Sequence, residues 1–328
     1  IFTSKIRTEL PTMSMDFPTN EEDLEELLSR PNELCIEAVR QMAGDFILLG
    51  VGGKMGPSLA RMIKRATEAI GKKVRVFGVA RFTNAKGESA LREHNIETIR
   101  CDLLKHDELL RLPKTPNVIY MAGMKFGSTG NESMTWGMNC FLPGLICQHF
   151  QQSRIAAFST GNVYGMTPIG DGGSTEKDSL RPEGEYAMSC LGRERILEHC
   201  SRQLSIPMSI IRLNYACDLR YGVVVDLAKN ILERKPIDLS MGYFNTIWQG
   251  DANALTVAAM MKAQVGSYVV NVSGVEQYSV RQVAETLAHQ WKVPVHFTGT
   301  EAPTALLTNV NKCCSEIGES EVDGSKLI

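Results

Sequence analysis

The stretch GVGGKMG, residues 50 to 56, sets Gly50, Gly53 and Gly56 at a spacing of three, with Lys54 and Met55 between the last two. The apolar run DFILLGV leads into it and the amphipathic run GPSLARMIKRATEAIG leads away. A strand, a glycine turn and a helix in that order aim unpaired helix N-terminal amides over the turn, an arrangement that suits the pyrophosphate of a dinucleotide. Glycines at a strand end also serve simply to turn the chain. Placement after the first strand of a βαβ unit favours the binding reading. The next apolar run, KVRVFGVA, ends at Ala80, where an acid would hold an adenosine ribose, and Arg81 follows. A cation without an acid beside it suits a 2′-phosphate, so NADP is favoured over NAD; the alternative is a solvated surface arginine.

The second chemically loaded stretch is EYAMSC, Glu185 to Cys190. On a helix Tyr186 and Cys190 share a face, one turn apart. A phenol with an unperturbed pKa near 10 is ionised to about one part in a thousand at neutral pH, so a tyrosine that handles protons needs a positive charge nearby. A thiol is a weak, uncharged donor, and as a thiolate it would push the phenol the wrong way. The plain alternative is packing, since cysteine is often a small buried hydrophobe.

The elements that carry these residues alternate. Residues 1 to about 20 read as a loosely packed arm, and two capped helices follow, starting after Asn20 and after Asn32. From Asp45 come strands at DFILLGV, KVRVFGVA, ETIRCDL, NVIYMAG, RIAAFST and MSIIRLNY, with helices at 56 to 71, 134 to 152 and 185 to 204 between them. Strands this apolar are buried on both faces, which predicts an α/β, doubly wound parallel sheet of Rossmann type. After about residue 215 the elements shorten. The expected organisation is an N-terminal arm and helices over 1–44, a dinucleotide-binding domain over 45–215 and a smaller substrate lobe over 216–328, with room for one strand of the last part to return to the main sheet.

Composition limits the partners. The 328 residues carry a formal charge of -2, with 35 Lys and Arg against 37 Asp and Glu, so no field exists to hold nucleic acid. No apolar run approaches the ~20 residues of a membrane-spanning helix. Nine cysteines without a CxxC pair or neighbouring histidines argue against a metal site and a disulfide framework and make the cytoplasm the expected compartment.

Further stretches line up in order: CDL with Asp102 and Leu103, MAGMK with Ala122, Gly123 and Lys125, MNCFLPG with Asn139, and FSTGNVYG with Thr160 and Asn162. Together with GxxGxxG and EYAMS they make residues 45 to about 275 resemble the extended short-chain dehydrogenase/reductase family, in its NAD(P)-dependent sugar epimerase and dehydratase branch. The resemblance implies that Asp102 contacts adenine, that Leu103 packs on it, and that Ala122, Gly123 and Asn139 border the cofactor. It implies hydride transfer at a carbinol or carbonyl carbon of a sugar-like substrate, with Tyr186 as proton carrier and Thr160 holding the reacting oxygen. Ser128, Asn162, Asn214, Trp248 and Gln249 become candidate substrate contacts. IIRLNY and IWQGDANA, with Asp251, resemble strands of the substrate lobe. Helices 134 to 152 and 186 to 204 hold positions through which subunits of this branch pair, so their apolar stripes serve either a homodimer or their own sheet.

Where the branch carries a lysine beside the cofactor ribose, this chain has Cys190. Three readings stand open. Another cation substitutes, Lys125 ahead of Arg193, which is two turns along the helix; or the enzyme works without an activated phenolate; or the protein binds a dinucleotide inertly, as a regulator or scaffold.

Overall fold

The computed structural model describes residues 17 to 327 apart from Asn84, Phe126 and Ser128. Most of the expected N-terminal arm, and the candidate contact Ser128, lie outside the described residues. Two short helices come first among the described residues, α1 (Glu21–Leu28) and α2 (Glu33–Gln41), each started by an asparagine whose side chain accepts an amide hydrogen bond, Asn20 from Asp23 and Asn32 from Cys35.

Seven strands form one parallel sheet: β1 (Phe46–Leu49), β2 (Val76–Ala80), β3 (Glu97–Arg100), β4 (Asn117–Tyr120), β5 (Arg154–Thr160), β6 (Met208–Leu213) and β7 (Tyr268–Val272). Their spatial order is β7-β6-β5-β4-β1-β2-β3. This is the doubly wound Rossmann arrangement, whose order reverses between β1 and β4. The ends of β1, β4 and β5 therefore border one crevice. Period-two alternation supplies both faces of the sheet. Phe46 and Leu48 pack with α2 and with α3 (Gly56–Ala69), whereas Ile47 and Leu49 point to the opposite layer, which holds Leu142, Ile146 and Leu197.

The strand in SYVVNVSG, β7, belongs to the last part of the chain and pairs with β6 along its whole length, returning to the main sheet. IWQGDANA departs from its strand reading. Only Ile247 and Trp248 form a bridge pair, with Ala216 and Cys217, and Gln249–Ala259 is a helix, buried at every position and packed against α2 and α3. Gln249, Asp251 and Asn253 alternate with small residues in the period of a strand, and their burial inside the protein leaves no exposed polar face to mark the helix. The helix expected at 134 to 152 is broken into α-turns at Glu132–Trp136 and Leu142–His149, with a π-helical segment, Gly137–Phe141, between them. Pro143 has no amide hydrogen to complete an α-turn to the carbonyl of residue 139, so the register shifts there.

A second, smaller core lies in the C-terminal part. Leu227, Ile231, Phe244, Val283 and Leu287 bring helices Val223–Leu232 and Val280–Trp291 together. Among the described residues, no helix is long and apolar enough to cross a membrane.

The long helix Gly184–Leu204 carries Tyr186 and is pinned to the sheet by a buried ion pair. Glu194, fully buried, accepts from Arg212 Nη2 at 2.7 Å and Nε at 3.0 Å, and from Ser159 Oγ at 2.5 Å. Arg212 Nη1 also donates to the Tyr164 hydroxyl at 2.7 Å, which donates in turn to Asn271 Oδ1 at 2.7 Å. The chain of bonds joins β5, β6, β7 and the Tyr186 helix. Replacing Arg212 by Met should strand a buried carboxylate and lower the unfolding free energy by about 3–5 kcal/mol. Denaturant midpoints read this directly, and a loss under about 1 kcal/mol would deny the pair its anchoring role.

Candidate functional site

The three spaced glycines face three different constraints. Gly50 has a φ of 96°, and a Cβ there would lie 2.7 Å from the Ala122 amide nitrogen, so the end of β1 and the loop after β4 touch backbone to backbone. At Gly56 a Cβ would lie 2.1 Å from the Val51 carbonyl oxygen, because α3 starts pressed against the loop that precedes it. Gly53 is different: the nearest atom to its Cβ position is Gly50 O at 3.6 Å, an ordinary contact, and the residue is exposed. The protein's own packing does not demand glycine there. A pyrophosphate lying on the loop would, which is the fit a dinucleotide requires.

The neighbouring candidates lie around the same crevice. Lys54 Nζ sits 4.2 Å from the centroid of the Tyr221 ring, and Met55 is the half-buried cap residue of α3. Arg81 is exposed just beyond β2, beside half-buried Ala80. Beyond β3, Asp102 is half-buried, its Oδ1 accepting from the Leu104 amide at 3.2 Å, and Leu103 is buried. After β4 come buried Ala122, exposed Gly123 and Lys125.

Asn139 lies in the π-helical segment and is completely buried. Its carboxamide clamps the loop after β4, accepting from the Met124 amide at 2.9 Å and donating to the Met124 carbonyl at 3.0 Å. The same Nδ2 donates to Ser189 Oγ at 2.9 Å, and Ser189 donates to the Tyr186 carbonyl at 2.8 Å. The π-turn thus links the cofactor-side loop to the first turn of the tyrosine helix.

Thr160, the last residue of β5, lies close enough to Tyr186 for its hydroxyl to act on the phenol. Half-buried Asn162 braces the threonine: its amide donates to Thr160 Oγ1 at 3.2 Å, and the hydroxyl donates to Asn162 Oδ1 at 3.3 Å. Burial raises the Tyr186 phenol above its ordinary pKa, and the Cys190 sulfur beside it adds to the rise; the Arg193 charge and the Thr160 hydrogen bond oppose it without cancelling it. Cys190 is fully buried with Val163 and Tyr164, and burial raises its thiol as well. Lys125 stands with its Nζ 6.0 Å from the Tyr186 ring centroid. Its side chain is exposed by area, yet enough protein surrounds the ammonium that desolvation, with the nearby Lys54 charge, lowers its pKa.

Other candidates have their polar atoms engaged elsewhere. Asn214 is buried and donates to Asn245 Oδ1 at 3.0 Å. Gln249 has no exposed surface, donates to Ser58 Oγ at 2.8 Å and accepts from the Tyr221 hydroxyl. Trp248 is half-buried, with its Nε1 2.8 Å from the Cβ position of Gly250. Asp251 accepts from the Val322 amide at 2.8 Å, and its burial raises the carboxyl pKa to about 6. Residues that the motif reading did not single out, Ser189 above all, complete the site. Arg193, ranked behind Lys125 on its distance along the helix, is buried against it. Its legible signal is spacing, since 186, 190 and 193 follow the i, i+4, i+7 stripe of one helix face.

The chain belongs to the NAD dependent epimerase/dehydratase family, whose pattern matches residues 46–241. No curated protein matches the chain. Pal from Bacillus thuringiensis is similar in structure at 18% identity, covering 86% of this chain and 96% of that one with a TM-score of 0.71. The dTDP-glucose 4,6-dehydratase DesIV from Streptomyces venezuelae, with NAD and TYD bound, is similar at 16% identity over 86% of this chain and 93% of that one, with a TM-score of 0.72. The UDP-glucuronic acid 4-epimerase from Bacillus cereus, in complex with UDP-glucuronic acid and NAD, is similar at 18% identity over 85% and 95%, with a TM-score of 0.70. At such identities the likeness establishes the fold.

The glycines separate folding from binding. Gly56→Ala drives a Cβ into backbone that cannot yield, and should cost about 1–3 kcal/mol or more in a denaturant titration. Gly53→Ala should melt within a few degrees of wild type while weakening dinucleotide binding about tenfold or more in a calorimetric titration. Equal effects on folding from both substitutions would refute the division.

Proposed function

We propose that the protein is an NAD(P)-dependent enzyme of the epimerase/dehydratase type, transferring hydride at a carbinol or carbonyl carbon of a sugar-like substrate. The observation that carries the reading is the placement of Thr160, at the end of β5, close enough to the Tyr186 phenol for its hydroxyl to act on it, at the crevice that the Gly53 turn leaves open. Gly50 to Gly56, Lys54 and Met55 would hold the pyrophosphate, Asp102 and Leu103 the adenine, and Ala122, Gly123 and Asn139 the wall behind the nicotinamide. When bound, the dinucleotide supplies the hydride acceptor and donor.

The chain's own residues manage the proton. Thr160 turns its single hydroxyl proton from Asn162 Oδ1 to the substrate oxygen and fixes that oxygen's distance from the phenol. Tyr186 takes the hydroxyl proton as the carbonyl forms and returns it as the carbonyl is reduced. Burial works against the first of these steps, because each unit by which the phenol is raised costs about 1.4 kcal/mol. Asn162 stays within the hydrogen-bonding frame of Thr160. Asn214 and Gln249 contribute as supports, since their side chains already bond within the protein. The UDP-glucuronic acid held by the epimerase with this fold supports a substrate of sugar-nucleotide chemistry. Pairing of two copies is supported by exposed Met134, Trp136, Phe141 and Met188, which lie on the 132–149 helical segment and the tyrosine helix.

Purified protein mixed with either dinucleotide and a panel of sugars, sugar acids and sugar nucleotides should change absorbance at the reduced-nicotinamide band. Tyr186→Phe should lower that rate about 100-fold or more. A turnover untouched by Tyr186→Phe would remove the tyrosine from the chemistry, and dinucleotide binding without turnover on any substrate would favour the inert regulatory reading.

The choice of dinucleotide is tested at Arg81. Ala80 offers no carboxylate to an adenosine ribose, and exposed Arg81 suits a 2′-phosphate, which supports NADP. Arg81→Ala should weaken NADPH binding about tenfold and leave NADH binding within about twofold; equal losses for both would count against a phosphate contact.

A further inference from the structure

Cys190 leaves the tyrosine helix without a charged side chain one turn beyond the phenol, but another cation is buried close by. Arg193 is 6% exposed. Its guanidinium donates from Nη1 to the Phe158 carbonyl at 2.9 Å and from Nη2 to Asn139 Oδ1, and it lies 5.9 Å from the centroid of the Tyr120 ring. A Cβ on Gly123 would lie 2.2 Å from Nη2, so the absence of a side chain at 123 opens the space the guanidinium fills.

All of these partners are neutral. Among the described residues no carboxylate lies within ion-pair distance of Arg193, and its Nε is buried without a hydrogen-bond partner. The adjacent Glu194 is committed to Arg212. Dipoles solvate the charge at Arg193 but do not cancel it, and in a water-poor interior an uncancelled charge acts over several ångströms with little screening. Phe158 lies two residues before Thr160, and Asn139 binds Ser189, which binds the Tyr186 carbonyl. The guanidinium is therefore tied to both segments that carry the hydroxyl pair.

We propose that Arg193 supplies, three residues further along the helix, the positive charge that position 190 lacks, and that it acts as a positioning residue for the proton on Tyr186. The inference rests on Tyr186 being the proton carrier. The charged and titratable groups that face the phenol are Cys190 and Arg193 on its own helix and Lys125 after β4, with the neutral hydroxyl of Thr160 at the end of β5. Lys54 on the glycine loop stands behind Lys125, and Cys140 of the π-helical segment behind Arg193 and Cys190. Of the cations, Arg193 is the buried one.

The test reads ionisation without turnover. A trifluorinated tyrosine, whose phenol titrates near neutral pH, is installed at position 186 alone and followed by fluorine NMR against pH in the full chain. Arg193→Gln should raise the midpoint by about one pH unit or more, a tenfold loss of phenolate. Arg193→Lys and Lys125→Met should each stay within about half a unit of the unsubstituted protein. A Lys125→Met shift as large as that of Arg193→Gln, or no shift in Arg193→Gln, overturns the proposal. Should Arg193→Gln not fold, the salt dependence of the unsubstituted protein decides. A midpoint constant between about 0.05 M and about 1 M NaCl supports the buried guanidinium, and a fall in phenolate of more than about threefold overturns it in favour of the solvent-screened lysine. These outcomes do not depend on whether Tyr186→Phe abolishes turnover, so failure here and failure of the enzymatic reading remain distinct.

Discussion

The ion pair between Glu194 and Arg212 is the constraint on which the site depends. A carboxylate and a guanidinium taken out of water forfeit hydration that their attraction repays only when the geometry is close and the remaining lone pairs are filled. Here Ser159 donates to the carboxylate and Tyr164 accepts from the guanidinium, one at the end of β5 and the other just past it. The pair thus couples the rotation of a 21-residue helix to the end of β5. Had the helix only an apolar seam, as Leu197 provides, it could slide along the sheet at small cost, since hydrophobic contact has no direction. Tyr186 reaches Thr160 because a directional, buried interaction two turns away forbids that sliding.

The same burial that makes the pair effective sets the chemical problem of the site. Desolvation raises the Tyr186 phenol and the Cys190 thiol together, so the interior favours the neutral form of both. A proton carrier in such a setting gains most from a charge that is itself dry, and the Arg193 guanidinium is drier than Lys125, whose side chain is exposed by area. The π-helical turn has a place in this arrangement. By shifting register at Gly137–Phe141 it turns Asn139 inward, where one carboxamide serves Met124, Ser189 and Arg193 at once. π-turns of this kind recur at functional sites because one displaced residue can serve several neighbours.

The glycine turn illustrates how unequal three identical letters are. Gly50 and Gly56 answer to the protein's own backbone, and Gly53 to open space. Spacing alone cannot separate these roles, because they depend on how the chain folds back on itself: Ala122, which Gly50 meets, lies in the loop after β4. Asn214, Gln249 and Asp251 pose the opposite difficulty. As letters they look like polar contacts for a substrate, but each is buried and spends its bonds on other parts of the chain, at Asn245, Ser58 and Val322.

What the chain declares by itself is local and periodic. The strand at Arg154–Thr160 is readable to the residue, the parallel sheet follows from strands apolar on both faces, and the turn at 50 to 56 announces a dinucleotide fold, because these properties need only neighbouring residues and the preference of apolar side chains for the interior. What only the tertiary structure decided is which groups share a dry space: a buried helix at Gln249–Ala259 in place of a strand, and a guanidinium at Arg193 buried among neutral hydrogen-bond partners. Desolvation and hydrogen-bond pairing are set by distance through the fold, and separation along the chain does not encode them.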